Sequence, residues 1–319
     1  MSQLTTTQPT FDERTTGLGG HDIGAICGVH PFLTALDVYN EKVNGVSHFD
    51  PQYIQKRGLY LEKFLLEEYL KDSPNSGVSE GKFYRHVNYP FFYAHPDYVL
   101  TRPNMGAGGQ VMSFGVSDDI VTKIIECKAP AAVGKEWGEE GTFEVPDYIK
   151  CQAAWYCMVV GCRRLDIIVD SPFKLKVYSY ERDPYLEAEL FSAGLDFWNN
   201  HVLAKIPPEP QTAADVGELY RKSDPDTTIE ADEELGSMIF RIKELQGHIK
   251  NFNREADSLK TEVQKRMKKN ETVALHGVEL ATWKPSAVTR LDVKSIKEEC
   301  PDLYEDYTVT TTARRFLVK

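Results

Sequence analysis

The chain predicts a mixed α/β fold of the α+β type. A central mixed β-sheet is flanked by helices, and a C-terminal extension adds a long helix and small β elements. Three observations predict it. Short apolar runs with a period of two, Ile120–Lys128, Leu165–Val169 and Leu175–Tyr180, read as strands. Between and around them, Pro51–Asp72, Asp147–Val160 and Pro184–Leu203 repeat apolar residues at helical spacing. Beyond residue 233, one apolar stripe runs from Met238 to Met267 at steps of three and four.

In chain order, Met1–Thr10 is polar and reads as a flexible lead-in. Gly19-Gly20 enters a short helix through Ile23, Ile26 and Val29. The backbone amides of that start favour an anion, or they are simply a glycine loop and a helix cap. A second helix is expected over Thr34–Val43. In Pro51–Asp72, Leu61, Leu65, Leu66 and Tyr69 form the stripe and Glu62 lies beside it, either solvated or, near a metal, a ligand. Strands are expected at Phe83-Tyr84, Phe91–Tyr93 and Tyr98–Leu100, with a loop at Arg102–Gly109 and a return strand at Gln110–Val116. Asp118-Asp119 turns into Ile120–Lys128. A loop with Trp137 and Pro146 leads to the helix Asp147–Val160, and Pro184 starts the next one. Prolines 207, 208, 210 and 225 bracket a polar connector over 206–233. The Met238–Met267 stripe predicts one helix of ~30 residues, ~45 Å long, or a pair broken near Asn251–Asn253. The basic cluster at its end, Lys265 to Lys269, either touches phosphate or is a solvated helix terminus. A hairpin at His276-Gly277, a short helix from Asp292 and a last strand near Thr308–Val318 complete the chain.

Composition narrows the classes. With 319 residues, 41% apolar and 27% charged, the chain is long enough for a substantial core and ordinary for a globular protein. No run of ~18 apolar residues exists, so no membrane span is expected. The N-terminus lacks a signal pattern, which predicts a cytoplasmic location. The six cysteines form no CxxC pair and are expected to be reduced thiols. An iron–sulfur cluster on Cys151, Cys157 and Cys162 is the alternative, though the ligand spacing is not tight. The net charge of -11 has the wrong sign for a module that coats nucleic acid by bulk attraction. It is compatible with an enzyme whose acidic metal site contributes the charge and whose basic contacts line a channel.

The chemistry centres on Ile124-Ile125-Glu126-Cys127-Lys128. In a strand, Glu126 and Lys128 project on one face while Ile125 and Cys127 project on the other. An acid beside a lysine at a strand end can hold a divalent cation and orient a water, given a second carboxylate. Asp118 has the right parity but would lie ~26 Å away along one continuous strand. Asp119 has the wrong parity. Asp97 begins a strand that can lie next to Ile124–Lys128, ~4.8 Å away. It is the expected partner.

Asp97 is followed, 29 residues on, by Glu126-x-Lys128. With their flanks, His95-Pro96-Asp97-Tyr98, Ile125–Pro130 and Tyr148-Ile149-Lys150-Cys151-Gln152 resemble, in order, the core of PD-(D/E)XK nucleases. They are most similar to the phage lambda exonuclease branch and its YqaJ-like viral recombinase relatives. Gly19–Ile23 and Arg57-Gly58-x-x-x-Glu62 also match that branch, and the resemblance covers about residues 14–203. It implies a restriction-endonuclease-like nuclease domain over 11–205; the proline-bracketed connector and the stripe beyond it set a linker over 206–233 and a helical/β extension over 234–319. Two departures stand out. The gap between Asp97 and Glu126 is longer than usual, making 102–119 an inserted hairpin. His21 and His95 stand where such enzymes commonly carry serines near the terminal 5′-phosphate.

The resemblance implies a DNA exonuclease dependent on Mg²⁺ or Mn²⁺. Asp97, Glu126 and the Cys127 carbonyl would hold one metal, with Glu62 helping to hold a second. Lys128 would orient and help deprotonate the attacking water. Arg14, His21, His95 and Gln152 would grip the 5′-phosphate, while Tyr148 is site wall or core. The implied activity is 5′→3′ on linear double-stranded DNA, leaving 3′ single strands for a RecT-type annealing protein. The implied setting is phage or prophage DNA recombination in a bacterial cytoplasm, by a homo-oligomer, often a trimer in such relatives. The alternatives are a structure-specific or restriction-like endonuclease and a non-catalytic recombination assembly protein.

Overall fold

Alternating side chains along the strand Ile120–Lys128 organise two apolar layers, one on each face of a five-stranded sheet. The computed structural model describes residues 14–46, 53–71, 77–102, 120–310 and 313–319. The chain divides into two units, Met1–Leu219 and Tyr220–Lys319.

In the first unit, α1 (Gly20–Ile26), α2 (Ala35–Asn44) and α3 (Tyr53–Leu70) precede the strands. The sheet runs in the order β1 (Val78–Glu80), β4 (Tyr98–Arg102), β5 (Ile120–Lys128), β6 (Arg164–Asp170), β7 (Leu175–Glu181). Only β5 and β6 are parallel; the other neighbours are antiparallel. The parallel pair requires a crossover, supplied by α4 (Asp147–Val160). A two-stranded ribbon, β2 (Tyr84–Arg85) with β3 (Tyr93–Ala94), stands apart from the main sheet. α5 (Pro184–Phe197) is capped by Asp183 and continues into a π-helical turn, Trp198–Leu203, where Trp198 stacks on Phe91. The mixed sheet and its flanking helices are those the sequence predicts.

On one face, Ile124, Leu165, Ile167 and Tyr178 pack with Trp155 of α4, all under 2% exposed. On the other, Ile125, Cys127 and Ile168 meet Leu65 of α3. Each fully buried aliphatic contributes about 2 kcal/mol, so the strand is held by both faces. Two polar clips fix α3 across β5 and β6. Arg57 pairs with Asp170 and donates to the Ala129 carbonyl, while Tyr69 and Lys123 both donate to Asp166. Glu62 lies between these clips.

Three expectations change. Val78–Glu80 is an edge strand where the sequence showed none: three residues with mostly exposed side chains carry no periodicity. The stretch 206–233, read as a linker, contains α6 (Ala213–Leu219). Its end is tied to α2: Ala35 donates to Gln211, Thr34 to Asp215 and Asn40 to Glu218, at 3.0, 3.2 and 3.0 Å. The proposed last strand, Thr308–Val318, forms no strand among its described residues; Pro301–Asp306 just before it is instead the helix α9. The expected strand at Gln110–Val116 and turn at Asp118-Asp119 lie outside the described residues.

The second unit is built on α7 (Glu233–Met267), one continuous helix of 35 residues without a break at Asn251–Asn253. The hairpin of β8 (Thr272–Leu275) and β9 (Val278–Thr282) turns at His276-Gly277, with φ of 50° and 82°. Positive φ at both positions is what a type I′ two-residue hairpin turn requires. Asp292 caps α8 (Val293–Glu299). No described helix is long and apolar enough to cross a membrane.

Candidate active site

Strand register brings the acidic pair together. Tyr98 lies opposite Ile125 in the antiparallel β4–β5 ladder, so one step further Asp97 falls opposite Glu126. Asp97 Oδ2 accepts the Cys127 amide at 2.7 Å, which pins its carboxylate at the end of β5. Behind it, Gly81 donates to the Asp97 carbonyl at 2.9 Å, and a Cβ on Gly81 would lie 1.7 Å from the Pro96 carbonyl oxygen. Only glycine allows that approach, so Gly81→Ala is expected to push Pro96-Asp97 outward. The expected cost is about 1–3 kcal/mol, read by thermal denaturation, with weaker divalent-cation binding by calorimetry.

Glu126 is 5% exposed, and its Oε1 accepts from Lys128 Nζ at 2.8 Å and Gln152 Nε2 at 2.9 Å. Gln152 Nε2 also reaches the Tyr156 hydroxyl at 3.2 Å, one turn along α4. Glu126 Oε2 and Gln152 Oε1 are buried without any hydrogen-bond partner. Gln152 is therefore turned onto the carboxylate, where it sets the orientation of Glu126. Glu62, from α3 on the opposite side, is half-buried, and its carbonyl accepts the Cys127 thiol at 3.8 Å.

The electrostatics follow from this convergence. Burial first, then the charge of Glu126, raises Glu62 to about 7. Burial, Glu126 and Glu62 push Asp97 well above the usual carboxylate range, although Lys128 and the Cys127 amide oppose them. Burial works against the Lys128 ammonium, but Glu126 and Asp97 outweigh it and its pKa rises. Three carboxylates crowded against one ammonium, with a buried oxygen left bare, form a site short of positive charge. An all-oxygen donor set of this kind fits a hard divalent cation. Among the described residues no three His, Cys, Asp or Glu side chains already close into a coordination shell.

Next to this acidic group lies a second cluster. The Lys42 amine, fully buried, reaches Asp22 Oδ2 and Glu41 Oε1 at 2.9 Å and the Arg14 carbonyl at 2.8 Å. Glu41 in turn holds the Arg14 guanidinium at 3.1 Å, and Asp22 accepts the Gly19 amide at 2.8 Å. His21, in the first turn of α1, keeps an exposed surface, yet its imidazole falls to about 3. Crowding by protein is the main cause, followed by Lys128, His30 and Arg14. His21 is thus held as a neutral ring. His95 is half-buried between β3 and Asp97.

The structure thus brings Glu62, Asp97, Glu126 and Lys128 to one strand end, and sets Arg14 and His21 beside them. Sequence reasoning missed Gly81 and the Lys42–Glu41–Asp22 cluster. The former shows only as a glycine before Lys82, and the latter joins residues with no recognisable spacing. Gln152, expected at the 5′-phosphate, is instead 2% exposed and donates to Glu126. The cysteines do not converge on one centre: Cys151 meets Cys27, Cys157 meets Cys162, and all six are free thiols.

Residues 11–163 match the model of the YqaJ-like viral recombinase domain. The chain is 26% identical over 322 residues to the uncharacterized protein YqaJ of Bacillus subtilis (strain 168), covering 96% of this chain and 92% of that protein. Among solved structures, it is similar to an alkaline exonuclease (LHK-Exo) from Laribacter hongkongensis. That similarity is 17% identity over 61% of this chain and 92% of the other, with a TM-score of 0.43. A phage related exonuclease from Haemophilus somnus 129PT is 14% identical over 59% and 96% of the two chains, with a TM-score of 0.39. The matched residues take in α1–α3, β1–β5 and α4, and so include every side chain of the candidate site.

Proposed function

We propose that this chain is a divalent-metal-dependent deoxyribonuclease acting as an exonuclease on linear double-stranded DNA, with a restriction-endonuclease-like core. The observation that carries the proposal is the strand-end group: Glu126 and Lys128 on one strand, Asp97 opposite, Glu62 above, and a buried Glu126 oxygen with no partner.

Asp97, Glu126 and the Cys127 carbonyl would hold a cation, Mg²⁺ or Mn²⁺, with Glu62 helping to hold a second. When bound, it supplies Lewis-acid polarisation of the phosphate and acidification of a water. Gln152 keeps Glu126 in one rotamer through its 2.9 Å hydrogen bond. Lys128, held as an ammonium by its carboxylate neighbours, donates to the attacking water and offsets charge on the phosphorane-like transition state. Arg14 and the neutral His21 receive the 5′-terminal phosphate, and His95 borders the site from the Asp97 side. The polarity follows from that pocket: digestion runs 5′→3′ and leaves a 3′ single strand. Such a product suits a RecT-type annealing protein in phage DNA recombination, with a homo-oligomer, often a trimer in such enzymes, retaining the duplex.

The deciding experiment digests end-labelled linear and covalently closed circular duplexes with Mg²⁺, with Mn²⁺ or with chelator. Loss of the linear duplex alone, stopped by chelator, is expected. Cleavage of the circle would replace the exonuclease with an endonuclease on the same core, and no cleavage of either would leave a non-catalytic assembly protein. A further expectation concerns the pocket: a 5′-phosphorylated duplex should be degraded about 10-fold faster or more than its 5′-hydroxyl counterpart, in line with ~1.4 kcal/mol or more from a charge-assisted contact. Equal rates would remove Arg14, His21 and His95 from the phosphate role.

A further inference from the structure

We infer that α7 pairs with α7 of a second copy of this chain as an antiparallel two-stranded coiled coil. Met238, Leu245, Phe252 and Leu259 recur every seven residues. Ile242, Ile249, Ala256 and Val263 follow each of them by four. That is an uninterrupted 3.5-residue repeat over four heptads, narrower than the stripe by which a helix lies on a globular core. The helix carrying it is continuous, 35 residues or ~52 Å along its axis. Its large apolar side chains are open: Met238, Leu245, Ile249, Phe252, Leu259 and Val263 are each between 41% and 66% exposed. A seam of this length without a covering partner is an interaction surface.

Charge along the helix selects the partner and its direction. Asp232, Glu233 and Glu234 stand at the N-terminal end, and Lys265, Arg266 and Lys268 at the other. Two copies running in opposite directions place each acidic end on a basic one and oppose their helix dipoles. With Ile249 set across from Phe252 of the other copy, the flanking position of Arg241 faces Glu262 and that of His248 faces Glu255. A parallel pair would match Arg241 with Gln246, His248 with Asn253 and Glu262 with Met267, leaving Glu255–Lys260 as its complementary contact. Within one copy, Arg241 is engaged by Glu244 and Glu262 by Arg266. Such exposed pairs within a helix contribute little and exchange readily.

The test uses the full chain in analytical ultracentrifugation at micromolar concentration, with helix content followed by circular dichroism. Ile249→Asp is expected to halve the molar mass of whatever assembly the chain forms, weakening association on the order of 30-fold or more, at unchanged helix content. An unchanged mass, or a single-chain mass for the unsubstituted protein, would overturn the pairing. Arg241→Glu and Glu262→Arg should each loosen it and together restore it. Restoration by Glu255→Lys with Lys260→Glu instead would overturn the antiparallel order. Association that appears only after DNA is added would assign the seam to nucleic acid. Digestion rates on linear duplex, measured in the same samples, report separately on the nuclease reading.

Discussion

Glu126→Gln and Lys128→Met are each expected to lower single-turnover digestion of linear duplex by about 1,000-fold or more at saturating cation, while the fold persists. The two substitutions fail for different reasons. Glutamine in place of Glu126 keeps an acceptor for Gln152 and Lys128 but removes the charge that a cation requires. Methionine in place of Lys128 keeps the aliphatic stem but removes the donor to the attacking water. Glu126→Ala and Lys128→Ala should abolish digestion too, at a greater cost in stability. Each strips one partner from a pair whose side chains are 7% and 18% exposed, leaving a charge near the interior uncompensated. Digestion at the unsubstituted rate by either variant would remove the strand-end group from catalysis, whatever its effect on melting temperature.

The second large effect is a pH dependence that divalent cations reverse. Glu62 rises to about 7 from an ordinary value of 4.5, chiefly by burial and then by Glu126, and Asp97 is raised with it. Between 4.5 and about 7 the unfolded chain has released the Glu62 proton and the folded chain has not. The metal-free protein therefore loses stability as pH climbs through that window. A bound cation stabilises the ionised carboxylates, so its stabilising effect should be larger at pH 8 than at pH 5. Urea denaturation at the two values, with Mn²⁺ or with chelator, measures both slopes. Glu62→Gln should flatten the metal-free slope. If that variant keeps the slope, or if Mn²⁺ stabilises equally at both pH values, the carboxylates do not share a cation.

Most helices and long strands were legible because their signals are local. Ile120–Lys128 and Asp147–Val160 have the bounds their periodicity predicts, and Thr34 and Asp292 announce their helices as caps. The failures share a cause. Val78–Glu80 and α6 owe their structure to partners far along the chain, not to a pattern of their own. Gly81 is decisive only because the Pro96 carbonyl comes against it.

By itself, then, the sequence determined the mixed α/β class, the strand that carries Glu126 and Lys128, and the apolar stripe along α7, because each is written in the spacing of neighbouring residues. Tertiary structure alone decided that Gln152 turns to Glu126, that His21 is neutral, and that buried Lys42 joins Arg14, Asp22 and Glu41. Protonation state and side-chain partner depend on which charges and dipoles lie within a few ångströms, and only the closed fold brings them there.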